Sequence, residues 1–128
     1  MARNMSFSLT TEQVRNRTKT VTRRLGWDFL KRGDVLNACV KCQGLSKGGK
    51  VERICQIRVV SVDSMPLNYL SRATVVLYQG PYITTWQRDE VVREGFPELT
   101  PAEFVTMFCA HMKCRPSTIV NRIEFEYI

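Results

Sequence analysis

The run Met5-Ser-Phe-Ser-Leu9 alternates apolar with polar side chains, the period of a strand with one buried face. Thr10 follows, with Gln13 three residues on. This spacing predicts a capping box opening a short helix over residues 11–17. Residues 19–24 form a polar, threonine-rich stretch, and Gly33-Asp34 punctuates the start of a second strand over 35–41. Residues 43–50 hold three glycines and predict a turn. The Val- and Ile-rich segment 51–62 then returns as the second arm of a long hairpin.

Two β-prone runs, 74–78 and 82–86, flank Gln79-Gly-Pro81. The pattern turns helical over 87–93 and breaks at Gly95-Phe-Pro97. Thr100-Pro-Ala-Glu103 reads as a capping box with proline at the first helical position, and Phe104, Met107, Phe108 and His111 follow at helical spacing to about Lys113. Residues 119–128 alternate as a closing strand. Strands at both ends, a long hairpin between them and two or three helices predict an α+β fold: a small, partly closed mixed β-barrel with helices at its rim.

At 128 residues the chain has the length of one domain, spanning 1–128, and its 44% apolar composition is that of an ordinary globular domain. No apolar stretch reaches the roughly 18 residues needed to cross a bilayer. Residues 1–9 lack the apolar run of a signal peptide, so the expected setting is the cytoplasm.

The net charge of +7 is unevenly spread: residues 1–33 carry eight basic side chains against two acids. Such an arrangement favours a phosphate-bearing or polyanionic partner, or else serves solubility. The five cysteines are an odd number and read as free thiols. Cys39 and Cys42 form a CxxC, and Cys109, His111 and Cys114 lie close in sequence. Zinc is disfavoured, because the CxxC falls within the apparent strand 35–42, where side chains three apart point to opposite faces. No cofactor is expected.

The lone His111 removes most familiar hydrolytic arrangements, and no phosphate loop, dinucleotide fingerprint or HExxH occurs. What remains is Arg17-Thr-Lys-Thr-Val-Thr-Arg-Arg24. Lys19, Thr20, Thr22 and Arg24 match a Gly-x-Lys-Thr-x-Thr-x-Arg segment, and the chain thereby resembles the ASCH family (activating signal cointegrator homology) of the PUA-like superfamily. Gly33-Asp34, the long hairpin, the Arg93-Glu94-Gly-Phe96 segment, Glu103-Phe104 and the terminal strand follow in the family's order, over nearly the whole chain except residues 71–87. One departure is plain: Arg17 stands where the family has glycine.

The resemblance implies a PUA-like barrel and two activities. Some compact bacterial members are amidohydrolases that deacylate N4-acetylcytidine and similar N4-acylated cytosines, through a lysine, a threonine and a glutamate. By motif position these are Lys19, Thr22 and Glu94. Other members are nucleic-acid binders or ribonucleases, so RNA or a single-stranded nucleic acid is the alternative partner. Arg17, Thr20, Arg23, Arg24, Trp27 and Phe96 are the expected substrate contacts, the aromatic rings as stacking faces for a base.

The chemistry sets a condition. Amide hydrolysis needs a nucleophile, a proton acceptor and oxyanion stabilisation. On a straight strand Lys19 and Thr22 would face opposite sides, so the chain between Arg17 and Arg24 has to bend.

Overall fold

The computed structural model describes residues 2–42, 49–72, 74–76, 80–82 and 85–128. The glycine-rich turn expected over 43–50 lies largely outside them.

Strand β1 (Arg3–Ser6) is followed by helix α1 (Thr11–Arg15), strands β2 (Val21–Arg24), β3 (Val35–Cys39) and β4 (Arg53–Pro66), and a 3₁₀ turn at Leu67–Tyr69. The short strands β5 (Thr74–Val76) and β6 (Gly80–Tyr82) precede helices α2 (Thr85–Arg93) and α3 (Pro101–Met112), and β7 (Ile119–Tyr127) ends the fold. The chain is α+β, as expected. Five strands make one curled half-barrel sheet in the order β1-β3-β4-β7-β2, and β5 pairs separately with β6.

The hairpin is confirmed by antiparallel β3–β4 pairing, although β4 runs on to Pro66. The reason is β7, which holds β4 along its outer part from Ser61 to Pro66 after a register shift at Val59/Ser61. The first strand ends at Ser6 rather than residue 9, and it pairs parallel with β3. Its edges do not close on β2. A side chain spans the gap instead: Arg24 NH2 of β2 donates to the Ser6 carbonyl of β1 at 2.6 Å.

Helix α3 begins as expected, with Thr100 and Glu103 exchanging both capping-box bonds and Pro101 at the start. It stops at Lys113, which takes the left-handed conformation. Helix α1 departs from expectation. Thr10 makes no side-chain cap bond, and α1 ends at Arg15. The Gln13 amide donates to the Gly95 carbonyl at 3.0 Å, so the residue expected to complete a local cap ties α1 to the end of α2.

The curl divides the apolar interior. Met5, Phe7, Val14, Leu36, Ile57, Val59, Ile123 and Phe125 form one cluster with Leu30 and Ala38. Leu67, Leu70, Val91, Phe104, Val105, Phe108 and Val120 form a second beneath α2 and α3. Phe7, Phe104, Phe108 and Phe125 are all buried.

Candidate functional site

Between the unclosed edges lies a cavity of about 450 Å³. Asn4 and Ser6 of β1 line one side and Thr22, Arg23 and Arg24 of β2 the other, with Lys19, Trp27 and Glu94 around them. Phe96, Phe104, Met107, Phe108 and Met112 supply an apolar wall. The space is therefore lined by both charged and apolar side chains.

The required bend is present before β2. Arg17 takes a left-handed φ of 60°, where the family segment has glycine, and the Thr18 and Lys19 amides both donate to the Gln13 carbonyl. Thr20 N–H then donates to the Arg93 carbonyl, and strand pairing starts only at Val21. Lys19 and Thr22 thus reach the same cavity. Arg17 and Thr20 do not line it. The Arg17 guanidinium packs over the Tyr127 ring, and the Thr20 hydroxyl accepts from Arg93 Nε at 3.0 Å. These two expected substrate contacts serve the scaffold.

Lys19 is 3% exposed. Its Nζ donates to Glu94 Oε1 at 2.9 Å and to the Glu94 carbonyl at 2.6 Å. Burial, the dominant influence, lowers the ammonium pKa, and Arg24 and Arg23 add to the effect; Glu94 opposes it. Glu94 also accepts from Arg23 NH1 at 3.0 Å, so two cations share this carboxylate.

Arg23 extends the array inward. Its NH2 donates to Glu90 at 2.7 Å, and Glu90 takes a bidentate pair from Arg122 at 2.5 and 3.0 Å. Burial pushes the Glu90 carboxyl up, but the hydrogen bonds from Arg122 and Arg23 outweigh it and hold the pKa below its usual value. Glu90 and Arg122 were not among the expected site residues. One signal was available: Glu90 and Glu94 stand four residues apart, on one face of a helix.

Thr22 is 3% exposed, and its oxygen accepts from Arg24 Nε at 3.0 Å. Among the described residues no hydrogen bond joins Lys19 to Thr22, and Arg24 makes no salt bridge. Enclosure lowers the Arg24 pKa to about 10, with the Glu94 charge acting the other way. A guanidinium donating to a hydroxyl oxygen stabilises negative charge developing there.

Trp27, at a φ of 63°, packs against Phe29 with ring centroids 5.5 Å apart and lines the cavity, as does Phe96. Tyr127 does not line it; its hydroxyl donates to the Lys19 carbonyl at 2.6 Å. His111 is exposed near the end of α3, at the cavity's apolar side.

The N-terminal charge is partly consumed internally. Lys19 and Arg23 are buried in ion pairs, and Arg15 pairs with Glu12 and Glu52. Arg3, Arg17, Lys31 and Arg32 remain on the surface. Among the described residues no group of three metal-ligating side chains forms, and no helix is long and apolar enough to cross a membrane.

No protein-family model and no curated protein sequence matches this chain. Among solved structures it is similar to protein EF3133 from Enterococcus faecalis V583, of the DUF984 family, at a TM-score of 0.46 and 14% identity, over 99% of this chain and 79% of that one.

Proposed function

We propose that the protein is a metal-independent amidohydrolase of N4-acylated cytosine nucleosides or related nucleobase amides, with Thr22 as nucleophile, Lys19 as proton acceptor and Glu94 as its partner. The observation that carries this reading is the meeting of Lys19 and Glu94 at 2.9 Å, both buried, in the cavity that also holds the Thr22 hydroxyl. The Lys19–Thr22 segment's likeness to the ASCH motif, and the PUA-like barrel it implies, support the same reading.

The steps follow from the groups present. The substrate carbonyl carbon forms a bond to Thr22 Oγ1, whose proton passes to the amine form of Lys19. The carbonyl π pair moves onto the substrate oxygen, and the guanidinium of Arg24, beside Thr22 Oγ1, is the cation available to stabilise that oxyanion. The C–N bond breaks as Lys19 returns the proton to the leaving nitrogen. Water then cleaves the threonyl ester, releasing the carboxylic acid, and Glu94 keeps the lysine amine oriented throughout. Burial favours the amine form of Lys19, the form this role requires. Trp27 offers a stacking face for the base, and Phe96 is among the apolar side chains lining the same cavity.

The alternative partner is RNA or a single-stranded nucleic acid held in the same cleft. The inward pairing of Lys19 and Arg23 takes away part of the basic charge on which that reading rests. One paired experiment separates the two. Incubation with N4-acetylcytidine is followed by the ultraviolet shift to cytidine, beside a titration with single-stranded RNA at two salt concentrations. Turnover that disappears in Thr22→Ala and Glu94→Ala supports the hydrolase. Absence of turnover on a panel of acylated cytidines, with RNA affinity falling steeply as salt rises, would replace it with the binding module.

A further inference from the structure

Among the described residues the cavity is lined by the basic side chains Lys19, Arg23, Arg24 and Lys41 and by one carboxylate, Glu94. The buried array accounts for part of this charge. Arg23 and Arg122 face Glu90 and Glu94, so the array is balanced when Lys19 is in the amine form that the proposed chemistry uses. Arg24 and Lys41 are left over. All 12 acidic side chains lie among the described residues, and none forms an ion pair with either cation.

Arg24 is held by neutral groups: Nε donates to the Thr22 hydroxyl, NH2 to the Ser6 carbonyl, and the guanidinium lies 4.8 Å from the Phe7 ring centroid. Ser6 also ties down the chain that carries Lys41. Its Oγ donates to the Val40 carbonyl at 3.4 Å, and Val40 N–H donates to the Glu52 carbonyl at 2.9 Å. From that fixed backbone the Lys41 side chain lines the cavity while staying exposed, which puts it at the opening. A cleft lined by unmatched charge of one sign concentrates its field and favours a ligand of the opposite sign. A neutral nucleoside leaves both cations unmatched. A phosphate on the ligand matches Lys41, whose ammonium is a compact charge on a flexible stem, and leaves Arg24 to the reacting carbonyl. A volume of about 450 Å³ suits one small ligand, which favours a single nucleotide over a strand.

We propose that the cavity takes a phosphate-bearing cytosine mononucleotide, with Lys41 as the residue that binds the phosphate and sets the preference over the neutral nucleoside. This names the substrate class of the site described above. It rests on that reading for the acylated base, whereas the phosphate contact rests on the charges.

The test uses the full chain, with cytidine and cytidine 5′-monophosphate as unreactive probes titrated by calorimetry at low and high salt. Lys41→Met removes the charge and keeps most of the stem. Lys31→Met, at an exposed position that does not line the cavity, controls for the loss of net charge. The monophosphate should bind about 10-fold more tightly than the nucleoside, the scale of one charge-assisted hydrogen bond. Salt should reduce that advantage, Lys41→Met should abolish it and Lys31→Met should keep it. In parallel, kcat/KM is compared for N4-acetylcytidine and its 5′-monophosphate, with the same advantage expected in the wild type. Retention of the binding advantage without turnover of either compound would support the phosphate site and overturn the hydrolase reading. Turnover without a phosphate advantage, an advantage that survives Lys41→Met, or binding of neither probe would overturn the phosphate site. A cytidine-containing RNA trimer that binds far more tightly than the monophosphate would overturn the single nucleotide in favour of a strand.

Discussion

Lys19 shows how one buried charge can be both a liability and a tool. Enclosing an ammonium group costs free energy unless it is paired, and Glu94 supplies both its side chain and its carbonyl. Replacement by methionine keeps much of the volume and leaves Glu94 paired with Arg23. Lys19→Met is expected to retain the folded circular-dichroism spectrum while turnover of N4-acetylcytidine falls by about 10²–10⁴-fold, the usual contribution of a positioned proton acceptor. Undiminished turnover would remove Lys19 from the mechanism. Glu90 is the opposite case, since it touches two guanidinium groups deep in the fold. Glu90→Gln strands buried cations and is expected to cost about 3–5 kcal/mol in urea denaturation. Its lowered carboxyl pKa fixes the sign of the pH effect. The stabilisation is present above the ordinary value of 4.5 and is lost as pH falls through the folded-state value, so wild-type stability should decline below about pH 4.5 more steeply than that of Glu90→Gln.

At the scale of elements, helix ends position the chemistry. Glu94 lies just past the last residue of α2, and Gly95 follows it at a φ of 103°. A Cβ on Gly95 would meet Gln13 Cγ at 3.0 Å, where the Gln13 amide holds the Gly95 carbonyl. Gly95→Ala should therefore destabilise by about 1–2 kcal/mol through the left-handed backbone alone, with the contact adding to it. Thr100→Ala removes a complete capping box and should cost about 1 kcal/mol. The two changes differ in their second readout. Gly95→Ala disturbs the α1–α2 tie beside Glu94 and should impair turnover, whereas Thr100→Ala should change stability only. An equal kinetic effect from both would dissociate the helix junction from the site.

For the whole molecule, Ile123 and Val120 place the two apolar clusters on the same strand, β7, which pairs with both β4 and β2. Such a shared strand couples the halves. Urea unfolding should be a single transition, coincident by tryptophan fluorescence and far-ultraviolet circular dichroism, with a slope of about 1–3 kcal/mol per molar urea. Separate midpoints would mean that the clusters unfold independently.

The amino-acid order alone determined the features that depend on neighbours: the α3 capping box, the closing strand β7 and the two arms of the hairpin. These are legible because capping acts over three residues and strand faces repeat every two. It also singled out Lys19, Thr22 and Glu94, through a resemblance in motif rather than through any local rule. The tertiary structure decided the rest. It drew Gln13 away from its own helix cap and turned Arg17 and Thr20 to the scaffold. It also brought Glu94 to a lysine 75 residues distant and set Glu90 and Arg122 behind the pair. Such meetings depend on which strand edges pair and how far the sheet curls, quantities fixed only when the whole apolar surface is buried at once, so no short window of residues contains them.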